Sequence, residues 1–319
     1  MTPGGLALVE RRHAAGWVSA STDLMGGRVS VHVRPAAGTT VGTAERAAHQ
    51  VLARMAAWAG RLTRFDAASE LSRLNAAEAD RVDVGPTLTA VLDWGRGAEA
   101  MSDGIVDIGL LDARLLAETG PGGRTGSARP ANRRWSLRRA TRGATVERPS
   151  GLRFDLDGIA KGWIADRALD LLPGASAVID ADGDIAVRIV DDEGWDIGVA
   201  DPRELGTVLS TLRLTRGTDP VARYGIATSG TSVHRWTRGG TTRHHLIDPA
   251  TGQPARTDLV QATVIARTAR AAEAFAKTAV IVGREAAAIR LDRPEVLGQL
   301  LVTESGDVLV SPATLEYVA

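Results

Sequence analysis

Five stretches of this sequence bring Gly, Asp, His and Ser together between apolar runs, a setting in which polar side chains can do chemistry. The densest is FDLDGIAKGWIADR, 154–167. Asp155 and Asp157 close a strand-like run, and Gly158 permits close backbone approach. The helix expected to follow, over 158–172, turns its first N–H groups back to the same spot, which favours phosphate. Lys161 on its first turn adds a point charge. A strand, an Asp-Gly turn and a helix also occur together for structural reasons alone.

AVIDADGDIAV, 177–187, arranges Asp180, Asp182 and Asp184 around Gly183. A tight turn between strands accounts for it. A calcium loop of the EF-hand type needs a Glu six residues past the glycine, where Ile189 stands. GIATSGTSVHRW, 225–236, offers small donors at Thr228 and Ser229. HHLIDPATGQPA, 244–255, sets His244 and His245 before a rigid turn at Asp248-Pro249. Ser, His and Asp together suggest a hydrolase, but Ser229 lies in A-T-S-G and no G-x-S-x-G elbow is present. SELSRLN, 69–75, reads as a capped helical turn.

These segments need a sizeable scaffold, and 319 residues supply one. Hydrophobic residues make up 44% and charged residues 24%, ordinary for a soluble globular protein. Lys+Arg and Asp+Glu both total 38, so no overall basic field exists to draw in nucleic acid or an anionic membrane. The absence of cysteine excludes disulfides, thiolate catalysis and Cys-ligated zinc. The apolar run Leu6–Val9 is too short for a signal peptide, no Cys can carry a lipid, and no stretch approaches about 18 apolar residues. The expectation is a cytoplasmic location without membrane insertion.

Alternation at Val29, Val31 and Val33 predicts a strand after a Gly26-Gly27 turn. Residues 43–62 have helical spacing, with Thr43 as N-cap, and Gly85-Pro86 opens a helix through about Met101. Two further helices are predicted over 158–172 and 269–283. Strands are predicted at 177–181, 185–190, 195–200, 209–214, 261–266 and 307–311. Many neighbouring strands with few βαβ crossovers predict an α+β fold with mixed or antiparallel sheet, in one domain over 1–319. Residues 1–16 and the Arg- and Gly-rich stretch 119–134 read as flexible surface segments.

In their order, the segments resemble the ApbE family of FAD:protein FMN transferases. The likeness runs through Leu24-Met25-Gly26, SELSRLN, SDGIVDIGL (102–110), DLDGIAKGW (155–163), IDADGDI (179–185), ATSG (227–230), HHLIDPATGQP (244–254) and AEAFAKTAVIVG (272–283). It implies an ApbE-like, T-fold-like arrangement of mixed sheets and packed helices, with FAD in a cleft and Mg²⁺ on its pyrophosphate. It implies transfer of FMN from FAD to a Ser or Thr hydroxyl of an acceptor flavoprotein, with AMP leaving. Carried over by position, Met25 lines the flavin site and Phe65 stands near the adenine. Ile105, Val106 and Asp107 contact the nucleotide, Ser229 adds a contact, and Asp155 and Lys161 flank the FAD. Gly158 offers its carbonyl to the metal, and His245 and Asp248 lie near the phosphate that is transferred. No acceptor-like D-x-x-[ST]-G-A-[ST] segment occurs in the chain, so the acceptor is another protein.

The sequence departs from the family at the metal helix, which carries an Asp and, four residues on, a Thr. Registering on Gly283 puts Glu273 and Lys277 at those places; registering on Thr278 puts Ala274 where the carboxylate belongs. Glu273 and Thr278 are five apart and share no face. An ammonium has no lone pair for Mg²⁺. Glu273 and Lys277 therefore form either a plain i,i+4 helix pair, or a replacement in which Lys277 itself neutralises the pyrophosphate. Three outcomes stay open: an active transferase with an altered metal site, a non-catalytic FAD-binding protein, and a pyrophosphatase releasing FMN and AMP.

Overall fold

The computed structural model describes residues 6–8, 17–119, 134–204, 206–231, 235–238 and 241–319. Apart from 6–8, 119 and 134, the two segments expected to be flexible lie outside the described residues.

Eight strands form one sheet, and every neighbouring pair in it is antiparallel. From one edge to the other they run Val308–Val310, Val296–Thr303, Leu259–Ala266, Ala222–Gly230, Asp184–Ile189, Ser176–Ala181, Gly27–Arg34 and Val18–Leu24. Alternate side chains enter different cores. Ala177, Ile179 and Ala181 face the helices, whereas Val178, Ile185 and Val187 face a small sheet built on Trp195–Ala200 and Val208–Leu214. Central strands covered on both faces carry apolar residues at successive positions, which is why these segments read as short apolar runs.

Among the described residues the α-helices are α1 Val41–Leu62, α2 Glu70–Ala76, α3 Pro86–Met101, α4 Leu111–Thr119, α5 Ala160–Leu169 and α6 Ala269–Arg290. The α+β class holds, and several local expectations shift. Thr40 rather than Thr43 caps α1, its Oγ1 accepting from the Thr43 N–H at 3.2 Å. The first hairpin turns at Met25-Gly26, with φ of 57° and 89°, not at Gly26-Gly27. That pair of positive φ values matches the right-handed twist of flanking strands, and Asp182-Gly183 repeats it with 59° and 89°. α5 is shorter than 158–172, because Asp157 to Ile159 form a turn with no side-chain cap. The helix expected over 269–283 does break at Gly283, whose φ of 79° and ψ of 168° are non-helical; a second helical segment continues α6 to Arg290, with Asp258 accepting the Arg284 N–H beyond the break. The segment holding Ser229 is a central strand, Ala222–Gly230.

α5 and α6 pack against each other and against the sheet. Gly162 allows this: a Cβ there would lie 2.7 Å from the Ala269 carbonyl oxygen. Among the described residues, no helix is long and apolar enough to cross a membrane.

Candidate functional site

A cavity of about 750 Å³ opens between α1, the Met25 turn, α4 and the start of α5. One wall is apolar, with Leu24, Met25, Ala59, Leu62 and Ile164. The other end is charged, with Arg114, Asp155, Asp157, Lys161, Asp182 and His245. A narrow adjoining cavity shares Arg114, Asp155 and His245 and adds Ile105, Asp107 and Lys277. A large pocket with an apolar wall and converging polar groups suits a cofactor-sized ligand.

Local structure explains why these side chains converge. The Ser69 hydroxyl caps α2 by accepting the Ser72 N–H at 2.9 Å, and Asn75 near its end reaches across the chain. Asn75 Nδ2 donates to the Phe154 carbonyl at 2.8 Å, and its Oδ1 accepts the Phe154 N–H at 2.7 Å. This two-way clamp, with the Asp155 N–H donating to the Ile108 carbonyl at 2.7 Å, fixes Asp155 at the cavity. The two hairpin turns place Met25 and Asp182 on its rim. Phe65 is 79% exposed there, beneath the Arg64 guanidinium at 4.2 Å from the ring centre.

Arg114 on α4 organises the charged end. Its side chain is 8% exposed and meets Glu118 at 2.8 Å, Asp155 at 3.3 Å and Asp157 at 2.6 Å. Burial opposes its charge, but the Asp155 and Asp157 carboxylates outweigh that and raise its pKa. Burial likewise opposes ionisation of Asp157, yet Arg114, Lys161 and His245 hold its carboxyl below the usual range.

Lys161 is engaged by acids. It lies 3.7 Å from Asp182 and 3.5 Å from Asp184 and donates to the Asp182 carbonyl at 3.3 Å. Burial pushes its pKa down, but Asp184, Asp182, Glu273 and Asp157 together raise it above the ordinary value. Burial also pushes Asp184 up to about 6 and Asp180 up to about 7.

The ApbE family model matches residues 25–298. The chain belongs to the ApbE family. A curated FAD:protein FMN transferase of Rhodobacter capsulatus is 30% identical over 278 residues, covering 79% of this chain and 50% of that protein. One from Treponema pallidum is 30% identical over 149 residues, covering 43% of this chain and 40% of that protein. The chain thus spans about half the length of such relatives, or less. The same fold occurs in the ApbE protein of Thermotoga maritima, with TM-score 0.77 and 22% identity over 95% of this chain and 100% of that one. Apo flavinyl transferase ApbE of Pseudomonas stutzeri gives TM-score 0.77 and 21% identity over 95% of this chain and 96% of that one.

Most residues carried over from the ApbE family meet at the two cavities: Met25, Phe65, Asp155, Lys161 and His245 at the larger one, and Ile105, Asp107 and Lys277 at the smaller. Val106 does not. Its side chain is fully buried in the core and its N–H donates to Ser102 Oγ, so it cannot contact a nucleotide through its side chain. Ser229 sits on the strand opposite Ala262 and lines neither cavity. Asp248 is spent on its own turn, accepting from the Ala250 N–H at 2.8 Å and Thr251 Oγ1 at 3.1 Å. His244 is structural, with Nδ1 accepting the Leu246 N–H and Nε2 facing the Ala255 carbonyl at 3.0 Å.

Gly158, Glu273 and Thr278 do not form a cage for Mg²⁺, an ion that demands near-octahedral oxygen donors. Thr278 Oγ1 donates to the Ala274 carbonyl at 2.8 Å within its own helix. Glu273 is buried, and its Oε2 accepts the Gly162 N–H at 2.9 Å, so it forms no surface pair with Lys277. The cation beside Gly158 is the Lys277 ammonium: a Cβ at residue 158 would lie 2.2 Å from its Nζ. The Gly162 N–H at the amino end of α5 is thus already answered by the protein's own carboxylate rather than left for a phosphate.

Sequence reasoning missed Arg114 and Glu118 as cavity residues. The run LDARLLAET (111–119) holds an i,i+4 Arg–Glu pair on an apolar-periodic stretch, the signal from which α4 could have been found.

Proposed function

We propose that this chain binds FAD in the larger cavity and transfers its FMN half to a Ser or Thr hydroxyl of an acceptor flavoprotein, releasing AMP. The single observation that carries this is the joining, in one cavity of an ApbE-family chain, of an apolar wall to an end bearing Arg114, Lys161 and His245. The apolar wall suits the flavin or adenine rings, and the polar end, which adjoins the narrow cavity lined by Lys277, suits the diphosphate that links them. Relatives named FAD:protein FMN transferase support the same reaction.

In that reaction the acceptor oxygen attacks the flavin-side phosphorus. A new P–O bond forms, the bond to the bridging oxygen breaks, and AMP departs with the electron pair. His245, which lines both cavities, takes the hydroxyl proton. Arg114 keeps Asp155 and Asp157 fixed, and positioning of this kind supplies most of the catalysis in phosphoryl transfer.

The test is to incubate the purified chain with FAD and an acceptor flavoprotein subunit, and to follow the acceptor by mass spectrometry. An added FMN mass on the acceptor is the expected result. Free FMN with AMP would identify a pyrophosphatase, and unchanged FAD a binding protein.

A further inference from the structure

We propose that the Lys277 ammonium is the protein's built-in counter-cation for the diphosphate of its dinucleotide, so that binding and transfer proceed without a divalent metal. The inference rests on the FAD reading above and deepens it at one residue.

Geometry carries it. Glu273 and Lys277 are one turn apart on α6, and they meet the start of α5 at places one turn apart. Glu273 takes the Gly162 N–H, and Lys277 comes to rest against Gly158. Any side chain at residue 158 would occupy the space of the ammonium, since a Cβ would also lie 2.9 Å from Lys277 Cδ and 3.0 Å from Cε.

The ammonium faces the narrow cavity that shares Arg114, Asp155 and His245 with the larger one. Neighbouring cations are already committed. Lys161 lies against Asp182 and Asp184, and Arg114 joins Glu118, Asp155 and Asp157. Among the described residues, no hydrogen bond or ion pair engages Lys277 Nζ. An anion entering this end of the site thus meets an ammonium whose three N–H donors are in no direct contact with a carboxylate, Glu273 acting on it only through space. Of the oxygens that would have to hold a metal here, Thr278 Oγ1 is turned to the Ala274 carbonyl and Glu273 Oε2 accepts the Gly162 N–H, which leaves Glu273 Oε1 alone of the three without a partner, too few for the near-octahedral oxygen set that Mg²⁺ demands.

The test is calorimetric titration of FAD and of ADP into the full chain, in EDTA and in millimolar Mg²⁺. Wild-type protein should bind FAD equally well in both buffers. Lys277→Met, which keeps the length and apolar stem, should weaken FAD and ADP in EDTA by roughly 10- to 100-fold, as loss of a charged hydrogen-bond donor implies. Lys277→Arg should retain most of the metal-free affinity, and circular dichroism checks that each variant folds. If Lys277→Met does not fold, the wild-type buffers and Lys277→Arg still decide.

FAD binding by wild type that appears only with Mg²⁺ would overturn the inference and leave the FAD reading standing. Unchanged affinity in folded Lys277→Met would also overturn it. No FAD binding in either buffer would remove the FAD reading and this inference together.

Discussion

The Glu273 carboxylate accepts the Gly162 backbone N–H at 2.9 Å, linking α6 to the first turn of α5. Its other oxygen is buried without a partner, and burial drives its pKa well above the carboxylate range, reinforced by Asp184 and offset in part by Lys161, the Gly162 hydrogen bond and Lys277. Glu273→Ala leaves the Gly162 N–H unsatisfied and should cost about 1–3 kcal/mol. Glu273→Gln keeps an acceptor there and should cost less. Urea unfolding of the two variants checks the order.

Asp180 and Asp184 give stability a pH dependence. Burial raises their folded-state pKa values to about 7 and about 6, from 3.8 unfolded. The native state then holds protons that the unfolded chain has released, so their contribution is complete below the unfolded value and is lost as pH climbs through about 6 and about 7. His32 acts oppositely: burial lowers it to about 4, and its contribution is lost as pH falls from 6.5 through about 4. Asp180→Asn should flatten the loss of stability between about pH 5 and about pH 8, measured by denaturant unfolding at both. An unchanged slope would contradict the assignment.

Arg114→Met leaves Asp155, Asp157 and Glu118 facing one another without their cation. The expected cost is roughly 2–3 kcal/mol, below that of breaking a fully buried pair because water reaches Asp157 and screens it. Because Arg114 also borders the charged end of the cavity, FAD affinity should fall with it. Thermal unfolding with and without FAD separates the two effects.

His245→Gln should lower the rate of covalent flavin transfer by about 10²- to 10⁴-fold, the usual worth of a positioned base. FAD affinity should change little. A large loss of affinity with an unaltered rate at saturation would make His245 a binding residue only.

Phe65 is 79% exposed, so Phe65→Ala should leave stability within about 0.5 kcal/mol. If its ring stacks on a ring of FAD, affinity should drop roughly 2- to 10-fold. Fluorescence titration with FAD measures it.

Much of this site was legible in the sequence because it sits at turns and helix ends, where residue type is dictated locally. Asp155 and Lys161 fall in one short polar segment between apolar runs and His245 in another, and the two segments meet at the larger cavity. Helices with caps and periodic faces, such as α2 with Ser69 and α3 with Pro86, were equally plain. The misses have physical causes. Thr228 and Ser229 suggested a ligand loop, yet Thr228 instead meets Thr263 Oγ1 at 2.8 Å across a central sheet. Val106 adjoins site residues in sequence, but its side chain points into the core.

The sequence by itself determined the α+β class, the family, the shift from Asp and Thr to Glu273 and Lys277, and the polar segments that build the site. Each depends on residue identity and short-range spacing. Only the tertiary structure decided what those charges do. Placing α5 against α6 put Glu273 on a backbone N–H and Lys277 against a glycine, while Lys161 was drawn into a cluster of aspartates. Partners for a charge are chosen by packing between separate segments, 21 residues apart for Lys161 and Asp182 and 111 for Gly162 and Glu273, and spacing along one helix does not encode them.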